Sequence, residues 1–576
     1  MKTQTKAGKL RVEMDSVTTG LSIFLDNTGE LLLIAGGAPM LPVIDGAKLA
    51  VSGGKWQERA SDSGPLWETC LIPLPESPVR NVKVFLQPIP EQDALDLWCE
   101  FTAGRDCQLN ALDLFPAKTG VNLYDVVNFR NRHFTANTWP ELLIGQGCTT
   151  TTYSNDWQFA PHPTALLLRK NTVSLFAGFL DLQASFGMRL SVKKSVVEQW
   201  DVDFGQSPHG LPLAQGERFR SGRLRLFLRQ DRTVCEMYSE FGQMLVREGR
   251  IPDPAHKVRY DWWREPIYCT WGDQWMLGNH QPAVDLGEQT ASESAPATDQ
   301  LSEALIHDAV AVIKKERLPV RTIILDEGWA VARGDWRPHP KFSNFRKLVD
   351  DLHAQGFKVM VWWNWAEIAA DAQVEAGELA GAGWLNRHGN RWRDYSDPAV
   401  QENYLKPLFR KFFSAEPDCY DLDGVKTDFL ADKVHPETPV HDPSWRGEET
   451  YFVKLTEMFY REMRQHKADA MHLGCAGHYW LAEFIDLNRT YDVASSNWLE
   501  HEARAHMLMC TSPGTVISYD MMTCAENTER WFASARSLGA GVELGNVLAC
   551  RPDNFSPVIP ADAAYWAMLR QGCEGA

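Results

Sequence analysis

The alternation of apolar and polar positions divides the chain into two parts. Up to about residue 255, short alternating segments such as GLSIFLDNTGELLLIAGG and TVSLFAGFLD are separated by Gly, Pro, Asn and Asp. Alternation of this kind is typical of strands with one buried face. Two helical pieces are predicted around VCEMYSEFGQMLVREG, and RIPDPAHKV follows as a Pro-containing link. The pattern therefore predicts an N-terminal β-sandwich domain over residues 1–255.

From residue 256 onward, short apolar runs alternate with longer amphipathic segments, which indicates repeated strand-then-helix units. Eight runs fit as strands: PIYCTW, RTIILDEG, KVMVWWN, GVKTDF, AMHLGC, RTYDVA, TVISYDM and GVELGN. Eight units predict a catalytic (β/α)8 barrel over residues 256–576. The polar stretch LGNHQPAVDLGEQTASESAPATDQ is expected to form a long loop on the catalytic face. The last helix candidate, ADAAYWAMLRQ, completes the eighth unit.

Composition and charge exclude several classes of function. No apolar run approaches the ~20 residues that span a bilayer, and no signal peptide is visible, so a cytoplasmic protein is expected. The twelve cysteines show no C-x-x-C pair, which favours a reduced interior without structural metal. A net charge of -17 disfavours binding to nucleic acid or to an anionic membrane. The 22 tryptophans suit stacking on sugar rings, and homo-oligomerisation stays open.

Polar residues collect where the predicted barrel strands end. Barrel enzymes carry their reactive groups at these carboxyl ends, and glycoside hydrolysis needs two carboxyl groups there. Lys426 precedes Asp428 by two residues on the same strand face, so its charge would support an ionised nucleophile. In strand order, the candidate residues are Trp271, Asp326, Glu327, Trp363, Trp365, Lys426, Asp428, Cys475, Gly477, Asp492 and Asp520.

Several of these runs resemble the melibiase family of α-galactosidases and raffinose synthases. The resemblance is carried by RTIILDEGW, GDW followed by KF, GFKVMVWWNWAE, DGVKTDFL and GCAGH. It implies a retaining α-glycosidase in which Asp428 is the nucleophile and Lys426 contacts the sugar. The family's acid/base is an Asp at the end of strand six, which implies Asp492. Tyr491 and Val493 depart from the usual surroundings, so Asp486 is kept as the local alternative.

The same resemblance also implies which residues bind the substrate. The family's second strand ends in two aspartates that bind sugar hydroxyls, whereas this chain has Asp326 and Glu327. The longer Glu327 side chain puts galactose specificity in doubt, because a site built for a hydroxyl discriminates strongly when its partner changes. Cys475 and Gly477 match the family's loop near the sugar 2-position. The expected partner is an oligosaccharide or small α-glycoside, and no cofactor is expected because carboxylates supply the chemistry.

Other interpretations of these residues stay open. The chain could be a transglycosylase resembling raffinose synthase, an α-glycosidase for an α-glucoside, N-acetylgalactosaminide or sulfated sugar, or a sugar-binding barrel without catalysis. Asp335 and Asp520 are also plausible cap or turn residues. Trp336 and Trp498 suit either the sugar site or the core. Asp432, His435 and His441 lack a recognised ligand spacing, so no metal site is predicted.

Overall fold

The structure is a computed structural model. It describes residues 2–61, 64–115, 120–121, 125–127, 151–154, 165–170, 172–182, 185, 187–193, 196–205, 207–278, 297–365, 367–369, 372, 384–385, 391–428, 434, 436, 438–490, 496–522, 524–553 and 556–574. No helix within these ranges is long and apolar enough to cross a membrane.

The N-terminal part folds into antiparallel sheets. One sheet contains Lys2–Ala7, Leu10–Asp15, Leu21–Leu25, Glu30–Ala35, Leu41–Ile44, Ala47–Lys48, Cys107–Asp113, Gly120–Val121, Thr151–Ser154, Gly187–Lys193, Val196–Asp203 and Leu211–Leu213. The other contains Val51–Ser52, Gln57–Ser61, Gly64–Pro73, Val79–Ile89, Ala94–Ala103, Asp125–Val127, Ala165–Lys170, Val173–Phe179, Arg218–Arg220 and Leu224–Gln230. Side chains from both sheets form one shared core. The predicted β-sandwich class is confirmed.

The C-terminal part is a closed parallel barrel. Its strands, numbered one to eight below, are Ile267–Cys269, Thr322–Leu325, Lys358–Trp363, Gly424–Thr427, Met471–Gly474, Leu487–Arg489, Val516–Met522 and Gly541–Leu544. Strand one pairs with strand eight and closes the ring. The predicted (β/α)8 class is confirmed, whereas the domain boundary at residues 255 and 256 stays a prediction.

Helices surround the barrel. Their bounds are Trp271–Leu277, Glu303–Lys315, Phe345–Ala354, Lys406–Phe413, Glu448–His466, Trp498–Thr511, Thr528–Ser537 and Ala563–Cys573. The apolar faces of these helices pack on the outward side chains of the strands in one large core. Two other short pairs of strands, Ala330–Ala332 with Asp335–Pro338 and Ala549–Cys550 with Ile559–Pro560, extend loops beyond the strand ends.

A single helix joins the two parts. Val234–Arg247 replaces the two helical pieces expected from the sequence, and Thr233 and Glu236 form a capping box at its start. Phe241 contacts Phe176 of the sandwich on one side and Tyr479 of the barrel on the other. The Tyr479 hydroxyl donates to the Tyr238 carbonyl oxygen at 2.7 Å. The helix is therefore shared by the cores of both parts.

Alternation along the strands decides which side chains enter the barrel. Met360, Met471 and Leu473 belong to a separate cluster that fills the interior, and Met360 lies beside Gly424 in the parallel register. Since successive strand residues point to opposite faces, Trp362 and Lys426 also point inward. Trp362 lies opposite Lys426 in the pairing of strands three and four. The interior is thus apolar in its lower layers and charged near the carboxyl ends.

Candidate active site

Asp428 lies directly after strand four, at the mouth of the barrel. Its side chain is 17% exposed. Oδ1 accepts a hydrogen bond from Arg489 Nη2 at 2.7 Å, and Oδ2 accepts one from Trp362 Nε1 at 3.0 Å. Hydrogen bonds to an ionised acceptor are roughly twice as strong as neutral ones. The carboxylate predicted to be the nucleophile is therefore held on both oxygens and still reaches solvent.

Arg489, from strand six, links Asp428 to Asp520. Its Nη1 lies 3.0 Å from Asp520 Oδ2, and both side chains are 1% exposed. A planar guanidinium can address two carboxylates in fixed directions, which a lysine ammonium on a flexible stem does less well. Asp520 was predicted to bind substrate. Its buried carboxylate is occupied by Arg489, so we interpret Asp520 as support for Arg489.

Lys426 lies one layer below Asp428 on strand four. Its ammonium contacts Asp326 Oδ2 at 2.9 Å, Cys269 Sγ at 3.3 Å and Glu543 Oε1 at 3.4 Å. The Cys269 thiol in turn donates to Asp326 Oδ2 at 3.0 Å. The neighbouring carboxylates raise the pKa of Lys426 well above its usual value against the opposing effect of burial. Lys426 and Asp326 therefore form a buried ion pair.

Glu327 faces a different partner from Asp326. Its carboxylate is bound by Arg333 in a bidentate pair, with Nε at 2.6 Å from Oε1 and Nη2 at 3.1 Å from Oε2. Burial raises the pKa of Glu327, and the Arg333 charge partly opposes this rise. The Arg333 guanidinium also lies 5.5 Å from the centre of the Trp362 ring. The extra methylene of Glu327 thus reaches a cation that the sequence motif did not reveal.

A cavity of about 180 Å³ opens beside this pair. Its lining includes Glu327, Arg333, Trp336 and Trp362, together with His339, which follows the Asp335–Pro338 strand. Trp336, which the sequence left open between site and core, therefore lines the cavity, although it is 5% exposed. The indole rings and the paired charges offer an apolar face and polar groups side by side, which suits a sugar ring.

The two tryptophans of strand three point to opposite faces of the barrel, and the one that faces the mouth is not the one that was predicted. Trp363 is fully buried and packs edge-on against Phe409 and Phe459, each with ring centroids 5.2 Å apart. Because its side chain points out to the helix layer, it does not line the mouth. Trp362, which the sequence analysis did not select, points inward. The position of Trp363 in the helix-facing core contradicts its selection as a sugar-binding residue.

Trp365 and Trp271 lie at the ends of strands three and one. Trp365 is 2% exposed and packs among Trp392, Tyr395 and Tyr451. That position is a packed aromatic cluster, so the selection of Trp365 as a sugar-binding residue is corrected to core packing. Trp271 is the first residue of the helix Trp271–Leu277, partly exposed, and packs against the apolar cluster of the barrel interior.

The loop after strand five is held in place by neighbouring elements. Cys475 and Gly477 are buried, and the backbone N–H of Ala476 donates to Asn488 Oδ1 at 3.0 Å. Asn488 Nδ2 donates back to the Ala476 carbonyl oxygen at 2.8 Å. His478 Nε2 lies 2.9 Å from Glu449 Oε1. The loop that the resemblance places near the sugar 2-position is consequently fixed before any substrate arrives.

Of the two candidates for the acid/base, the structure describes Asp486 but not Asp492. Asp486 precedes strand six, where its buried carboxylate accepts from Tyr460, Arg464 and the backbone N–H of His472. This is the amino end of the strand, opposite the mouth, so Asp486 is a structural residue and is excluded as the acid/base. Asp492 lies outside the described residues, as do Asp432 and His435. Strand six ends at Arg489, earlier than the predicted run RTYDVA suggested.

Two clusters on the described surface have oxygen, nitrogen or sulfur atoms close enough to hold a metal ion. They are Asp350 with His353 and Asp421, and Glu416 with Asp418 and Cys419. Asp421 and Cys419 precede strand four, so these groups lie toward the amino end of the barrel and away from Asp428. His441 is 58% exposed and 3.8 Å from Asp397.

The chain is similar to several known proteins. Residues 273–544 match the family described as "Glycosyl hydrolases family 31 TIM-barrel domain". This match lies within the C-terminal barrel. A curated relative, the A type blood alpha-D-galactosamine galactosaminidase of Flavonifractor plautii, is 26% identical over 127 residues. That match covers 21% of this chain and 9% of the relative, so the chain spans only a small part of the relative's length.

Two solved structures share the fold over the whole chain. The alpha-N-acetylgalactosaminidase NagBb of Bifidobacterium bifidum is 11% identical with a TM-score of 0.66, and the match covers 99% of this chain and 94% of that one. The GH36 alpha-galactosidase AgaA of Geobacillus stearothermophilus is 12% identical with a TM-score of 0.59, covering 100% and 86%. The similarity to α-glycosidases that the sequence motifs indicated is thus found in the family model, the curated relative and both solved structures.

Several residues of this site were missed by the sequence analysis. They are Cys269, Arg333, Trp362, Arg489 and Glu543. Strand periodicity offered a signal for two of them, since Trp362 and Arg489 share the inward parity of Met360 and Leu487. Arg333 comes from a short hairpin beyond strand two, where no periodicity points to the mouth.

Proposed function

We propose that this chain is a retaining α-glycosidase that acts by double displacement with Asp428 as nucleophile. The observation that carries the proposal is the position of Asp428 at the barrel mouth, held by Arg489 and Trp362 and still partly exposed. The glycoside hydrolase barrel match and the carboxylate-rich mouth support it.

In the first step, an Asp428 oxygen forms a bond to the anomeric carbon while the bond from that carbon to the leaving oxygen breaks. Asp492 is proposed to donate its proton to the leaving oxygen. In the second step, Asp492 takes a proton from water, and the resulting hydroxyl displaces Asp428 from the anomeric carbon. Two inversions at one carbon give net retention.

The fixed contacts on Asp428 are suited to this sequence. Arg489 and Trp362 hold the carboxylate in one orientation, so little reorganisation is needed when it attacks. Arg489 is itself oriented by Asp520 from the neighbouring strand. Lys426 and Asp326 lie in the layer below and are proposed to bind hydroxyl groups of the sugar. Glu327 and the indole of Trp362 are proposed to form the side of the sugar site.

For the sugar itself, we propose an α-linked galactose or N-acetylgalactosamine. The named relatives are an α-galactosidase, an α-N-acetylgalactosaminidase and an α-D-galactosamine galactosaminidase. Of the two solved structures, the α-N-acetylgalactosaminidase has the higher TM-score. Arg333 holds the Glu327 carboxylate in one orientation, so a sugar hydroxyl that donates to Glu327 must approach its remaining lone pairs.

The test is hydrolysis of aryl α-glycosides of galactose, N-acetylgalactosamine and glucose, with the released anomer followed by proton NMR. We expect the α-anomer from one of the galacto-configured substrates. Asp428→Asn should lower kcat by at least about 10³-fold, because the nucleophile is lost while the shape of the side chain is kept. Release of the β-anomer would contradict the mechanism.

A matched control is Asp335→Asn. Asp335 lies in the hairpin beside the site, but its carboxylate pairs with Arg337 rather than with the groups around Asp428. Its substitution should leave kcat within about twofold. Transfer to an added sugar acceptor without release of free sugar would favour the transglycosylase, and binding of sugars without turnover would favour a non-catalytic barrel.

A further inference from the structure

Glu543 on strand eight is a buried carboxylate that the proposed mechanism does not use. Its side chain is fully buried, and Oε1 lies 3.4 Å from Lys426 Nζ. Among the described residues, Oε2 is buried and has no hydrogen-bond partner. Leaving a buried charged oxygen without a partner is costly, so the site favours the neutral form of this group.

The groups that face Glu543 come from five other strands of the barrel. They are Cys269, Asp326, Lys426, Arg489 and Asp520. Counted with Asp428 and Glu543, this region holds four carboxylates and two cations. Because carboxylates outnumber cations in this buried cluster, it is more stable with one carboxyl group protonated than with all four ionised. Burial raises the pKa of Glu543 to about 7, and the nearby Asp520 charge adds to the rise while Lys426 opposes it.

The ammonium of Lys426 has three N–H groups and three protein partners. These partners are Asp326, Cys269 and Glu543. All its donors are therefore engaged in the free protein, and a sugar hydroxyl can accept one only if a protein contact is given up. The contact with Glu543 is the longest of the three. Its loss leaves the Asp326 ion pair intact.

We propose that Glu543 is a positioning residue whose protonation frees one N–H of Lys426 for a sugar hydroxyl, so that sugar binding is tighter when Glu543 is neutral. The inference rests on the proposed function, because it assigns a role to Lys426 within the sugar site. By linkage, a sugar that binds better to the neutral form also raises the affinity of Glu543 for its proton. Binding near neutral pH is therefore accompanied by proton uptake.

The first measurement is the Kd of the wild-type protein for D-galactose and for N-acetylgalactosamine at about pH 6 and about pH 8.5. We expect the Kd of the sugar that binds to rise about tenfold at the higher pH, as follows from the loss of one charge-assisted hydrogen bond. Calorimetry in buffers of different ionisation enthalpy should show net proton uptake at about pH 7.5. This readout needs no variant.

Glu543→Gln identifies the group responsible. Glutamine keeps the size and cannot ionise, so the step in Kd between the two pH values and the proton uptake should both disappear. Cys269→Ala removes a different partner of Lys426 and so frees an N–H whatever the state of Glu543, and the pH step should shrink because the Kd at about pH 8.5 falls. A residue with only a structural role would change the melting temperature in Glu543→Gln but leave the pH step in place.

The outcomes separate this inference from the proposed function. Binding with the same Kd at both pH values, or a step that persists in Glu543→Gln, would overturn the role of Glu543 while leaving the glycosidase proposal untouched. If neither sugar binds at either pH and no aryl glycoside is cleaved, the proposed function and this inference fall together. If Glu543→Gln does not fold, Glu543→Met takes its place because methionine is of similar size and cannot ionise, and a pH step that persists in it overturns the role of Glu543.

Discussion

Arg489 Nη2 lies 2.7 Å from Asp428 Oδ1, and the same guanidinium reaches Asp520 through Nη1 at 3.0 Å. The two carboxylates come from strands four and seven, and the arginine comes from strand six, between them along the chain. The arrangement explains how a carboxylate at an open barrel mouth keeps one orientation. Asp520, two residues before the end of strand seven, is closed to solvent.

Arg489→Lys should impair catalysis more than folding. A lysine ammonium keeps the charge but cannot bridge Asp428 and Asp520 in two fixed directions, so Asp428 loses its orientation. We expect kcat to fall about 10²-fold with a smaller change in KM, measured with the aryl α-glycoside that the protein cleaves. An unchanged kcat would show that the bridge is not needed for attack. Thermal melting provides the check that the variant is folded.

Trp362→Phe and Trp363→Phe form a matched pair on adjacent residues. The first removes the N–H that donates to Asp428 Oδ2, and kcat/KM should fall about tenfold or more because the acceptor is charged. The second leaves the site intact but reduces packing against Phe409 and Phe459, so it should lower the unfolding free energy by about 1–2 kcal/mol. If Trp363→Phe lowered kcat/KM and Trp362→Phe lowered only the unfolding free energy, the inward and outward faces of strand three would be misassigned.

Arg333→Ala tests the pairing of Glu327. Burial already raises the pKa of Glu327, and removing the opposing Arg333 charge should raise it further. The ionised form then appears only at higher pH, so kcat/KM should fall about tenfold at about pH 6 and less at about pH 8.5. Arg337→Ala is the control, because Arg337 pairs with Asp335 in the same hairpin and is 62% exposed. An equal loss at both pH values would argue against titration of Glu327.

His472 should make the protein sensitive to acid. It is buried between the Thr427 hydroxyl, at 2.8 Å, and the Phe484 carbonyl oxygen, and burial lowers the pKa of His472 to about 3. The unfolded chain protonates this group near its ordinary pKa of 6.5, so below that value unfolding takes up a proton. Stability is therefore complete above about pH 6.5 and is lost as the pH falls toward 3.

The corresponding measurement is chemical denaturation of wild type and His472→Asn at about pH 7 and about pH 5. The wild type should lose about 2 kcal/mol more unfolding free energy than the variant over this interval, because asparagine does not titrate. His441→Asn is the control, since His441 is exposed. Equal pH dependence in wild type and His472→Asn would show that His472 is not the group responsible.

The barrel was predictable because its signal is local and repeated. Seven of the eight predicted runs coincide with strands, since a strand buried on both faces reads as a short apolar run. Strand six was misplaced: the run RTYDVA begins at Arg489, where the strand Leu487–Arg489 ends. The preceding residues Asp486 and Asn488 are polar, yet both are buried by hydrogen bonds to other elements. Because these two residues are buried as polar, hydrogen-bonded side chains, strand six does not show the apolar run that marks the other strands.

The sequence by itself determined the class of each part, the position of Asp428 after strand four and the proximity of Lys426 on the same strand face. Periodicity and motif spacing depend on residues that are close in the sequence, so both can be recognised from the sequence alone. Only the tertiary structure decided which groups surround Asp428 and Lys426. Arg489, Trp362, Cys269 and Glu543 come from four different strands, and they meet because closing the barrel brings inward side chains from distant positions into two adjoining layers.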